Sequence, residues 1–149
     1  AMNKKLIFII VPVLVLALAA AGWMFMRPAP AAHVDEAKVP GPVHAIADPF
    51  VVNLDSSPSA PRFVKVAVAL RLAKSSSGLV NEAVGTTPAT VEGEAQVRDI
   101  IISSLQSRSS ADLSTETGRT GLKREIVRQV NKRTELRILD VYYTDFAVQ

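Results

Sequence analysis

The chain has 149 residues, a net charge of +3, a hydrophobic fraction of 48% and only 5% aromatic residues. That length excludes two full-size domains. The absence of cysteine excludes disulfides, thiolate metal sites, thioether-linked haem and thiol nucleophiles.

The first element in chain order is an apolar run. Leu6 to Met26 spans 21 residues without a charged side chain. As a helix it measures about 31 Å, close to the thickness of a hydrocarbon core. A signal-peptide apolar region is shorter, roughly 7–15 residues. The run therefore reads as an uncleaved transmembrane anchor. The alternative is a cleaved signal ending near Ala21 or Ala31. Lys4 and Lys5 precede the run and Arg27 alone follows it. The positive-inside bias places residues 1–5 in the cytoplasm and everything after 26 outside. Trp23 and Phe25 suit an interfacial aromatic belt. Ala17 and Ala21 stand four apart, as do Leu18 and Gly22, a spacing that lets a neighbouring helix approach closely. Alanine is also simply common in such segments.

Residues 27–47 contain Pro28, Pro30, Pro40 and Pro42 and read as an extended tether. Both histidines, His33 and His44, fall in it without a recognisable carboxylate or hydroxyl partner. No metal and no cofactor are expected.

Residues 48–149 form one small α+β domain in this reading. They carry 13 Lys+Arg against 12 Asp+Glu, so no concentrated basic face points to nucleic acid. Phe50–Leu54 is a short β-rich run, followed by a turn from Ser56 to Pro61. Arg62–Ala73 alternates, with Val64, Val66, Val68, Leu70 and Leu72 on the core face. The two runs pair as a hairpin. Lys74–Thr86 is polar and reads as a surface loop. Thr87-Pro88 predicts a helix start, with Glu92 and Glu94 near its positive end. Val97, Ile101 and Leu105 carry its apolar stripe to about Arg108. Ser110–Thr120 is a polar connection, interrupted by a short turn around Ala111–Leu113. Gly121 and Leu122 open a second helix, which runs to about Lys132 with Leu122, Ile126 and Val130 inward. Its other face bears Lys123, Arg124, Arg128 and Lys132. That face is either ordinary solvated surface or a contact for an acidic partner. Arg137–Gln149 is rich in β-branched and aromatic residues and predicts a final strand built into the sheet. The predicted order is β-β-α-α-β, behind a single N-terminal transmembrane helix, with the helices on one sheet face.

No catalytic constellation is legible. There is no nucleophile elbow, phosphate loop or zinc-binding His-Glu-x-x-His. Ser103, Ser104, Ser107, Ser109 and Ser110 have no base nearby in sequence. Glu92 with Glu94, and Asp140 with Asp145, are paired only along the chain. Glycoside hydrolysis by such pairs requires a deep cleft that a core of this size seldom supports. An enzyme is not expected.

Four stretches carry a family resemblance. The terminal Val141-Tyr142-Tyr143-Thr144-Asp145-Phe146-Ala147-Val148-Gln149 resembles the end of FliL, the flagellar basal-body-associated family. Asp48-Pro49-Phe50-Val51-Val52-Asn53-Leu54 is similar to that family's first strand. Val97–Ile102 is similar to its first helix. Asp112-Leu113 through Gly118, then Leu122–Ile126, is similar to its second. The motif residues of note are Asn53, Asp145, Phe146 and Gln149. Tyr143 stands where Phe is commoner, and Ala147 where Val is commoner.

The resemblance implies a stomatin-like periplasmic domain on an inner-membrane anchor. It also implies a non-enzymatic motor component that partners the stator proteins MotA and MotB at the flagellar basal body and forms a homo-oligomeric ring. Arg124, Arg128 and Lys132 are the expected basic contacts, against Glu92, Glu94 or Glu116 of a neighbour. Ala17, Ala21 and Gly22 are the expected packing positions within the membrane. The competing readings are an exported periplasmic binding domain and a stomatin-like scaffold for another membrane complex.

Overall fold

The alternation of Arg62–Ala73 produces the longest strand of the domain, and the sheet is assembled around it. A computed structural model of the chain describes residues 34–54 and 61–149. The expected anchor at 6–26, with Ala17, Ala21 and Gly22, lies outside the described residues, as does His33. Among the described residues no helix is long and apolar enough to cross a membrane.

Strand β3 (Arg62–Ala73) is central. Strand β2 (Phe50–Leu54) pairs antiparallel with its first half, from Phe50 opposite Val66 to Leu54 opposite Arg62. Strand β1 (Pro40–Ala45) pairs with its second half along the same edge, with Ala45 opposite Ala69. The last strand, β6 (Ile138–Val148), runs antiparallel along the whole opposite edge, from Val148 opposite Val64 to Ile138 opposite Leu72. Two register shifts interrupt β3–β6, and such bulges add local twist.

Val64, Val66, Val68, Leu70 and Leu72 are each at most 1% exposed. They meet the apolar stripes of helix α1 (Glu94–Gln106) and helix α3 (Glu116–Arg133). Val97, Ile101 and Leu105 of α1 and Leu122, Ile126 and Val130 of α3 complete this core. A five-residue helix, α2 (Ser110–Ser114), joins them and buries Leu113. The helices thus cover one face of a mixed α+β fold, as the sequence implies.

The structure departs from the sequence reading in four places. Residues 40–45, expected in the tether, are strand β1. Proline lacks an N–H donor and is tolerated on a sheet edge, so Pro40 and Pro42 do not exclude a strand here. The alternation then puts Val43 outward, and His44 and Ile46 into the core. Lys74 N–H donates to the Val39 carbonyl at 2.8 Å, and Lys74 pairs with Glu36 at 3.1 Å. The chain is therefore tied into the domain well before Asp48.

The expected surface loop after β3 is structured in part. Lys74–Leu79 is a 3-10 helix whose Ser76 is buried and accepts from Arg137 N–H at 2.8 Å. Strands β4 (Val80–Asn81) and β5 (Thr90–Val91) follow as a two-stranded ladder. Thr87-Pro88 does not start a helix, because Thr87 pairs with Val84 in the tip of this hairpin. Helix α1 begins only at Glu94, after Gly93 takes a left-handed φ of +70°. Glu94 reaches back to accept from Val91 N–H at 3.3 Å.

Helix α3 starts five residues earlier than Gly121. Thr115 caps it, with its hydroxyl accepting from Gly118 N–H at 3.0 Å and donating to the Asp112 carbonyl at 2.8 Å. That cap satisfies donors which a helix start otherwise leaves open.

Candidate functional site

Three-and-four spacing on α3 sets which residues share a face. With Leu122, Ile126 and Val130 buried, Arg124, Arg128 and Lys132 are left exposed on one outer stripe. Lys132 sits in the last turn, where a cation complements the helix dipole. Arg128 pairs with Glu125 one turn back. Gln129 donates to the other Glu125 oxygen at 2.8 Å. The Gln129 hydrogen bond, then that of Arg128, holds the Glu125 carboxyl below its ordinary range against the opposing effect of burial.

Arg124 and Arg128 rim a shallow groove of about 270 Å³ between α3 and the start of β6. Val127 and Leu139 also line it, beside Lys123. The Lys123 ammonium lies 5.1 Å from the Tyr143 ring centroid and 6.0 Å from that of Tyr142. Burial pushes the Tyr143 phenol above its ordinary range. Tyr143 also packs on Phe146, with centroids 5.0 Å apart, and the Arg119 guanidinium lies 5.8 Å from the Phe146 ring.

The three expected acidic contacts part company. Glu92 is exposed between β5 and α1. Glu116 is exposed in the first turn of α3, about two turns before Arg124. Glu94 turns inward, its side chain 16% exposed, with Oε2 3.5 Å from Nε2 of the buried His44. The same oxygen accepts from Val91 N–H, and the His44 Nε2 beside it makes no hydrogen bond. His44 accordingly has a carboxylate beside it, contrary to the sequence reading, which found none. That pairing joins residues fifty apart in sequence and only the fold reveals it. Among the described residues no group of His, Asp and Glu stands together in the way a metal ion needs.

The motif residues close the sheet. Gln149 and Phe63 exchange both backbone hydrogen bonds, at 2.8 and 2.9 Å. Asp145 pairs with Lys65 at 3.5 Å on the face away from the helices. Phe146 lies opposite Val66. Asn53, exposed on β2, lies opposite Phe63.

A second depression was not foreseen. It measures about 690 Å³ and is lined by Ser103 of α1, Ser107 just past its end, Arg108 and Asp112, and Glu125 and Gln129 of α3. Arg108 pairs with Asp112 at 3.1 Å at its edge. The four-residue spacing of Ser103 with Ser107, and of Glu125 with Gln129, was the available signal. These side chains offer hydrogen bonds and charge.

Two comparisons bear on what this domain is. The profile described as flagellar basal body-associated protein FliL matches residues 43–149. It thus starts within β1 and ends on the last residue of the chain. The flagellar protein FliL of Aquifex aeolicus (strain VF5) is 30% identical over 110 residues, which cover 73% of this chain and 62% of that relative. The chain therefore spans less than two thirds of the length of the curated relative it matches. The family match takes in the sheet, the three helices and the terminal strand together, and the chain belongs to the FliL family of flagellar basal body-associated proteins.

Proposed function

We propose that the chain is a single-pass inner-membrane component of the flagellar motor that associates with the MotA/MotB stator and supports torque generation. Residues 6–26 anchor it, the N-terminus is cytoplasmic, and the domain from Val34 onward is periplasmic. The domains are stomatin-like and gather laterally into a ring around the stator's periplasmic stalk. The observation that carries this reading is the FliL family match across residues 43–149. The uncharged 21-residue run beside Lys4 and Lys5 supports the anchor and its orientation.

The role is mechanical. A ring of domains that binds one stator conformation better than another shifts the population towards it. A membrane anchor holds the domains at high local concentration, so weak individual contacts suffice. The basic stripe Arg124, Arg128 and Lys132 is the contact surface, with Glu92 and Glu116 as the exposed acidic candidates.

In-cell crosslinking, detergent extraction and mass identification of what accompanies the full chain test this reading. The expected product is an oligomer with an intact anchor together with both stator subunits. A cleaved monomer, or an unrelated membrane complex, would overturn it in favour of an exported binding domain or another scaffold.

A further inference from the structure

The β4–β5 hairpin and the groove beside β6 have complementary chemistry. At the hairpin tip, Val84 N–H donates to the Thr87 carbonyl at 3.1 Å and Thr87 N–H donates to that of Val84 at 3.0 Å. The tight link leaves Val84 75% exposed, the largest value among the exposed large hydrophobics of the described residues. An apolar side chain so presented carries a cost in water that a neighbour's apolar surface relieves. Residues 80–92 contain Glu82 and Glu92 and no Lys, Arg or His. Both glutamates are exposed.

The groove presents the opposite pattern. Val127 and Leu139 are half-buried apolar lining, and Lys123, Arg124 and Arg128 surround them. Arg128 is engaged by Glu125. Arg124 is exposed and has no ion-pair partner among the described residues. The only acidic side chain in the lining, Asp140, accepts from Val141 N–H at 2.7 Å.

The two surfaces lie on different elements. The hairpin runs into α1, which packs over β2 on one side of β3. The groove lies between α3 and β6, on the other side of β3. Hairpin and groove are therefore two different patches of one domain. A contact between two different patches of identical chains is heterologous, and it propagates into a ring or an open filament.

We propose that the occupant of the groove is the β4–β5 hairpin of a second copy of this chain. Val84 seats against Val127 and Leu139, and Glu82 faces Arg124. This rests on the self-association proposed above and names the two surfaces that make it.

The cysteine-free sequence makes the test clean. Ala83 and Thr120 are both exposed, one beside the hairpin tip and one at the groove. The full chain carrying Ala83→Cys and Thr120→Cys is expressed in its own cells, and membranes are oxidised with copper phenanthroline. The expected non-reducing gel shows a ladder rising past the dimer, which neither single variant gives. Adding Arg124→Glu reduces the ladder at least five-fold, and adding Glu82→Arg to that variant restores it. No crosslink, a product that stops at the dimer, or a ladder indifferent to both charge changes would overturn the proposal. Stator subunits that co-extract with the chain while the ladder is absent would reject this interface and leave the motor reading standing. A ladder without stator subunits would do the reverse.

Discussion

At Gly118 the backbone of α3 passes so close to the end of α2 that a Cβ would lie 2.0 Å from the Asp112 carbonyl oxygen. The obstacle is main chain and cannot swing aside. Gly118→Ala is expected to cost about 3 kcal/mol, the upper end for overpacking, read as a lowered midpoint in denaturant melts of the domain. Thr115→Ala removes the adjacent cap and is expected to cost about 1 kcal/mol. The Glu125 carboxyl gives a pH signature. Its value is lowered in the folded state by Gln129 and Arg128. The stabilisation is therefore complete above the ordinary range and fades as pH falls below about 4.3. Gln129→Ala, which removes the larger cause, should flatten that acid limb of the stability curve. The effect is small, since the pair stays partly in water. An unchanged slope between the two proteins would remove the assigned role of Gln129.

Elements differ in how plainly the sequence announces them. Strand β3 is legible because five aliphatic residues recur at period two against one core face. Leu70→Ala there should cost about 3 kcal/mol by leaving a cavity, measurable in the same denaturant melts. Strand β6 is legible through its β-branched and aromatic content. Strand β1 was hidden because Pro40 and Pro42 signal a tether, and nothing local says that β3 has a free edge to accept them. The start of α1 was misplaced because Thr87-Pro88 is a sound local helix signal that tertiary pairing overrides. Val91 is buried and Thr87 is committed to a hairpin tip. The candidate site shows the same division. Arg124, Arg128 and Lys132 fall on one helix face by spacing alone. The apolar lining between them and β6 joins Val127 to Leu139, and only packing brings those together. Glu94 looked like surface because no sequence rule places His44 beside it.

For the whole molecule, the order of parts is what the family membership and the domain's architecture make useful. An apolar run, a Pro-rich segment and a small α+β domain follow one another along the chain, and part of the Pro-rich segment is the domain's first strand. The helices cover one sheet face, while Lys65, Asp145 and the exposed Val51 and Phe63 lie on the other. Under the function proposed above, the molecule is a membrane-held domain that works by contact with the motor's stator units. The most direct test is single-motor torque at high load, measured by bead rotation in cells that lack this chain and in cells where it is restored. The expected result is reduced torque without the chain, recovered by the full-length protein and not by the domain freed of residues 1–26. Equal torque in all three strains would contradict the account.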